Sequence, residues 1–125
     1  MKSDQTYPKT EKLKSRKLID KLFSEGRSVS KFPLRLVYLQ TELPEDTIVQ
    51  VAVSVSKRNF KKAVDRNRIK RLIREAYRLN KDKIKPHLET PHAFMFLYTS
   101  KEITDFHTLE KSMKKLLKKF REEAL

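Results

Sequence analysis

The chain has 125 residues, 38% of them hydrophobic, and thirty Lys and Arg against sixteen Asp and Glu give a formal net charge of +14. That is enough chain for one domain with a self-sufficient core; the lack of cysteine excludes disulfides and thiolate metal sites, and no apolar run approaches the roughly 20 residues that cross a bilayer. So large a positive surplus on so small a domain calls for a polyanion: nucleic acid, an anionic membrane or an acidic protein.

Met1 to Thr10 is polar, carries no apolar segment of the kind a secretory signal needs, and is expected to be a flexible arm (1–10) ahead of a single domain (11–125) of a soluble, cytoplasmic protein. From Leu13 the apolar residues Leu18, Ile19, Leu22 and Phe23 fall at helical spacing, and Gly26 is the expected C-cap. Phe32 to Gln40 alternates as a strand, with Phe32, Leu34, Leu36 and Tyr38 on one face. After a turn at 42–46, a second strand runs from Ile48 to Ser56; Val51, Val53 and Val55 share one face, and Gln50, Ala52, Ser54 and Ser56 the other, as a candidate polar groove. A long helix follows from about Phe60 to Lys83 and a loop between Pro86 and Pro91. Then come a short buried strand, Ala93 to Ser100, and a final helix, Phe106 to Phe120, with Leu109, Met113, Leu116, Leu117 and Phe120 as its core stripe. The expected fold class is α+β: a single-domain α-β sandwich on a small sheet, in the order α-β-β-(β)-α-β-α, the bracket leaving room for one further short strand.

Between Lys57 and Lys85 stand thirteen cations against only Asp65, Glu75 and Asp82. Advancing about 100° per residue gathers Arg66, Lys70, Lys81, Arg74, Asn67, Arg78 and Arg71 within an arc of roughly 140°. Leu72, Leu79, Ala76, Ile69 and Ile73 fall on the other side, and Arg71 with Glu75 forms an expected i,i+4 pair. Surface helices usually mix both signs of charge, so a nearly pure cationic stripe points to a ligand. Its arginine content favours phosphate, which the guanidinium fork grips in two places. The strands that can cover the apolar face argue against a membrane-surface helix. The strand-rich order argues against a helix-turn-helix duplex reader.

Catalysis by this chain's own side chains is not expected. Asp65 and Glu75 lie about 15 Å apart along a helix and cannot share a metal ion; capping of the helix N-terminus is the simpler role for Asp65. His87, His92 and His107 match no zinc spacing, and there is neither a Gly-rich phosphate loop nor a nucleophile motif. Phe94, Phe96 and Tyr98 alternate on the buried strand as core, whereas Phe60 and Tyr77 flank the basic stripe and fit either role.

The stretch from Val51 to Tyr77, VAVSVSKRNFKKAVDRNRIKRLIREAY, resembles the signature of the bacterial ribonuclease P protein component, with its RNR motif as Arg66-Asn67-Arg68 followed by Ile69-Lys70-Arg71. The likeness runs from about Leu13 to Phe120. It implies a left-handed β-α-β crossover at the basic helix, contrary to the general preference. It also implies an accessory subunit of a ribonucleoprotein endoribonuclease that removes the 5′ leader of precursor tRNA. The catalytic groups and Mg²⁺ would then belong to the RNA subunit and substrate, with no dedicated metal site on the protein. The partners implied are the catalytic RNA and precursor tRNA, with no membrane and no obligate protein partner. By position, the resemblance assigns RNA contacts to Arg66, Asn67, Arg68, Lys70, Arg71 and Arg74 and to the loop residues Lys57, Arg58, Lys61 and Lys62. It places a leader cleft between the first helix and the sheet, at Ile19, Phe23, Tyr38 and Ser54. Two departures are visible: Lys61 stands near where many members have glycine, and Ile19 where members often have an aromatic. Two other readings remain at this point, an RNA-holding ribosomal or chaperone-like protein and a DNA-binding regulator.

Overall fold

The computed structural model describes residues 11–44 and 47–125. The arm expected over 1–10 and the turn positions 45–46 lie outside the described residues. The first helix, α1 (Arg16–Glu25), begins where the Ser15 side chain accepts a hydrogen bond from the Leu18 N–H and ends at Gly26, whose N–H bonds the Leu22 carbonyl at 2.8 Å. Gly26 is extended, so no left-handed turn demands it. A Cβ there would lie 2.3 Å from the Leu22 oxygen and 3.0 Å from the Tyr38 oxygen, so it is the close approach of helix end to strand that excludes a side chain.

The extra strand exists: β1 (Arg27–Lys31) pairs antiparallel with β2 (Leu34–Gln40) across a two-residue turn, Phe32-Pro33. Next come β3 (Val49–Ser54), α2 (Ala63–Asn80), two 3₁₀ turns at Lys81–Lys83 and Lys85–His87, β4 (His92–Tyr98) and α3 (Phe106–Ala124). The sheet order is β1-β2-β4-β3; β2 and β4 are antiparallel, β3 and β4 parallel, so α2 is the crossover helix of a β-α-β unit. The expected long helix is therefore shorter, its last turn tightening to 3₁₀.

One face of the sheet carries Leu34, Leu36, Tyr38, Val49, Val51, Phe94, Phe96 and Tyr98, packed against Ile69, Ile73, Ala76 and Tyr77 of α2 and the whole expected stripe of α3. The other face, Val37, Ala93 and Met95, lies under Leu22, with Leu18, Ile19, Leu39, Ala52 and Leu97 packed around it. Burying Leu22 completely is worth about 2 kcal/mol. Central β4 is covered on both faces, which is why its sequence runs nearly continuously apolar. Phe60 and Tyr77 are both core. The result is α1, sheet, then α2 with α3, with the basic helix along one outer layer.

Candidate nucleic-acid interface

The loop into α2 is built on two anchors. Phe60 is buried with its ring 5.9 Å from that of Tyr98. Arg66 Nη1 donates to the carbonyls of Phe60 and Lys61 at 2.8 and 2.9 Å. With the Arg58 N–H on Ser56 Oγ at 3.0 Å, these bonds hold the chain so that Lys57, Arg58, Lys61 and Lys62 all project into solvent. The N-cap of α2 is Lys62, with no side-chain cap bond; Asp65 sits in the first turn, where its charge complements the helix dipole, and is not the cap itself.

The exposed arc of α2 is rotated from the one the sequence suggests. Tyr77 is fully buried although it falls only about 20° from Arg66 on the helical wheel. The core therefore extends under Arg66, whose guanidinium is half-buried and committed to the loop carbonyls. The solvent arc runs from Lys70, half-exposed, through Arg74, Asn67 and Arg71 to Arg68, all exposed. Lys81 leaves the stripe altogether: it is 1% exposed and paired with Glu11. The expected Arg71–Glu75 pair is replaced by Arg78, whose Nε and Nη2 grip the two Glu75 oxygens at 2.9 and 2.7 Å. That bond to Arg78 holds the Glu75 carboxyl below its usual range. It also takes up the acid at i+4 from Arg71 and leaves Arg71 without an ion pair among the described residues.

The leader-cleft residues do not all meet. Ile19 and Phe23 share a face of α1; Ile19 packs on the smaller core cluster and Phe23 stands 53% exposed. Ser54 is exposed on the same side of the sheet, opposite Leu97 at the end of edge strand β3. Tyr38 is a correction. It lies on the opposite face, 5% exposed, with its ring 4.8 Å from that of Phe120. Burial, then the Glu123 carboxylate, pushes its phenol above the ordinary range. The strand alternation puts neighbouring Val37 beneath α1 instead.

Two features were not anticipated. Lys12, Lys14, Lys17 and Lys21 rim a groove of about 620 Å³ floored by Leu18, Leu43, Pro44 and Gln50. The spacing of Lys17 and Lys21 on one face of α1 was there to be read in the sequence. The segment before α1 also lies on the sheet edge, with the Leu13 N–H on the Val51 carbonyl at 2.9 Å. This brings Lys12 and Lys14 to a hollow shared with Arg74, and no local signal could have announced it. Among the described residues no three His, Asp or Glu side chains are grouped to hold a metal ion, and no helix is long and apolar enough to cross a membrane.

Fold and surface together define a class: a small α+β protein presenting one arginine-rich, acid-poor face. The Ribonuclease P family model matches residues 7–121. The chain is 40% identical to the ribonuclease P protein component of Porphyromonas gingivalis strain ATCC 33277 over 112 residues, covering 87% of this chain and 82% of that one. It is 37% identical to that of Clostridioides difficile strain 630 over 114 residues, covering 90% and 94%. The same fold is seen in the RNase P proteins of Staphylococcus aureus (TM-score 0.70, 24% identity, 88% and 94% covered) and Thermotoga maritima (TM-score 0.70, 24%, 87% and 96%). The chain belongs to the ribonuclease P protein component family.

Proposed function

We propose that this chain is the accessory protein subunit of ribonuclease P in the cytoplasm, binding the catalytic RNA and the 5′ leader of precursor tRNA during endonucleolytic removal of that leader. The observation that carries the reading is the α2 surface: Lys70, Arg74, Asn67, Arg71 and Arg68 face solvent as one arc, continuous with the lysines of the preceding loop, while Glu75 is taken by Arg78. Such a face grips phosphates and releases counterions, giving strong and salt-dependent affinity without sequence preference. The α1 side carries exposed Phe23 on the Ile19 face, where a single strand can stack a base, and a lysine-rimmed groove on another face, where phosphates can meet the lysines. The chemistry, and the Mg²⁺ that assists it, belong to the RNA and substrate; this chain's part is to position and to neutralise charge.

The test is cleavage of a 5′-extended precursor tRNA at low Mg²⁺ by this protein alone, by ribonuclease P RNA from the same organism alone, and by both. Cleavage in the mixture only is expected. Tight RNA binding with no stimulation of cleavage would overturn the subunit reading in favour of a general RNA-holding protein.

A further inference from the structure

We infer that the turn between β1 and β2 carries a second stacking site, for one unpaired nucleobase of an RNA strand held on the basic loop before α2; this rests on the RNA-binding reading above. Phe32, in that turn, is the most exposed large hydrophobic residue described, at 70%, and no other described ring packs on it. With Pro33 and the half-open Ile103 it walls a slot of about 200 Å³ whose remaining lining includes the hydroxyl residues Ser100, Thr104 and Thr108. An apolar ring facing an aliphatic wall, with hydroxyls at the edge, suits the face and rim of a base. The slot is held open on both sides. The Tyr98 hydroxyl donates to the Glu102 carbonyl at 2.5 Å and accepts from the Thr104 N–H at 3.1 Å, fixing the segment that carries Ile103. Ser112 Oγ donates to the Phe32 carbonyl at 3.0 Å, and the Pro33 carbonyl accepts from the Thr99 N–H at 2.7 Å.

Charge and continuity identify the occupant. Lys111 and Lys115 are exposed one helical turn beyond Thr108 and Ser112, Lys101 is exposed beside Ser100, and Lys119 Nζ reaches the Ser30 carbonyl at 2.8 Å; against these cations stand Glu102 in the slot lining and Asp105, whose carboxylate accepts from the Thr108 N–H at 2.7 Å. The ring of Tyr98, whose hydroxyl braces the slot, also packs on Phe60, the anchor of the Lys57–Lys62 loop. Loop and slot therefore share one buttress at the same end of the sheet, where Leu34 pairs with Tyr98 and Ser54 with Leu97, and the inferred base comes from a strand lying on the loop.

The chain has no tryptophan, so Phe32→Trp places a single reporter in the slot. The variant is titrated with a ten-nucleotide mixed-sequence single-stranded RNA and with its ten-base-pair duplex, each 5′-labelled so that anisotropy reports binding independently. The expected result is quenching by the single strand in step with anisotropy, duplex binding without quenching, and about 5- to 50-fold weaker single-strand binding by Phe32→Ala and Phe32→Leu, the worth of one base stack. Repeating the titration with ribonuclease P RNA and with a leader oligonucleotide tells which strand supplies the base. Binding without quenching, and unchanged affinity in Phe32→Ala, overturns the slot and leaves the RNA-binding reading standing; no anisotropy change with any RNA overturns both. Sedimentation showing a dimer that Phe32→Ala dissociates overturns the slot in favour of contact with a second copy of the chain.

Discussion

Glu11 and Lys81, separated by 70 positions in the chain, meet as a buried ion pair, with Lys81 Nζ 3.4 Å from one carboxylate oxygen while Lys85 Nζ takes the other at 2.5 Å. The pair ties the segment before α1 to the end of α2, and with it the edge contact between Leu13 and Val51. Removing one member of a buried pair strands the other in low dielectric. Glu11→Ala is expected to cost about 3 kcal/mol, read as a lower urea midpoint at unchanged slope. Glu11→Ala combined with Lys81→Met is expected to recover part of the loss, since a buried ammonium that has lost the Glu11 carboxylate is gone. A double variant as unstable as the single one would place the cost in the segment's packing instead.

Arg66 and Arg74 separate two roles that the motif runs together. Arg66 serves the loop carbonyls, so Arg66→Ala is expected to lower stability by about 1–2 kcal/mol and to weaken RNA binding indirectly, through a loosened loop. Arg74 is exposed. Arg74→Ala is expected to change stability by less than about 0.5 kcal/mol and to reduce the slope of log affinity against log salt by about one. Denaturation and salt titrations on the two variants check this. Equal slopes with equal stabilities would dissolve the distinction.

How much of this was legible in the sequence depended on whether periodicity alone decides. The α3 stripe did not need tertiary knowledge, because an apolar pattern at the helical period admits one orientation, and the nearly continuous apolar run of β4 marked a strand buried on both faces. β1 was only a bracketed possibility, because in RSVSK only Val29 is buried and an edge strand need show little more. In β2 both faces are apolar, so alternation could not say which faces α1, and the choice between Tyr38 and Val37 is a one-residue question. The helical wheel found Lys70, Arg71 and Arg74 of α2 but also took in buried Lys81 and half-buried Arg66 and left out exposed Arg68, since no local rule shows a guanidinium bending back to cap its own loop. Glu11 with Lys81 is a long-range fact with no local signature at all.

The Glu75–Arg78 bond gives a pH dependence of known sign. Its folded carboxyl titrates below the ordinary glutamate range, first because Arg78 donates to it. The contribution is therefore fully present above the unfolded pKa and is lost as pH falls through the lowered folded value. Glu75 is nearly half exposed, so screening limits the effect to a few tenths of a kcal/mol. Between neutral pH and pH 3, wild type is expected to lose slightly more stability than Glu75→Gln, and 1 M salt is expected to erase the difference. Loss of the effect in Arg78→Ala, but not in Arg71→Ala, would tie it to the observed partner.

Phe23 and Tyr38 are the sharpest contrast, because the resemblance names both and the fold treats them oppositely. Phe23 is 53% exposed on α1 and Tyr38 5% exposed beneath Phe120. Phe23→Ala is expected to cost under about 1 kcal/mol of stability, yet to raise KM for a leader-bearing precursor by the equivalent of about 1–3 kcal/mol if the ring stacks on one base. A precursor shortened to a single leader nucleotide is expected to be indifferent. Tyr38→Ala opens a core cavity and is expected to cost about 3–4 kcal/mol, with whatever folded enzyme remains showing no preference between long and short leaders. The paired measurement is KM on both substrates for both variants, alongside thermal denaturation. Should Tyr38→Phe, which preserves the packing, impair long-leader substrates selectively, the hydroxyl would have to reach the leader from the far side of the sheet. The strand alternation that puts Val37 under α1 forbids that.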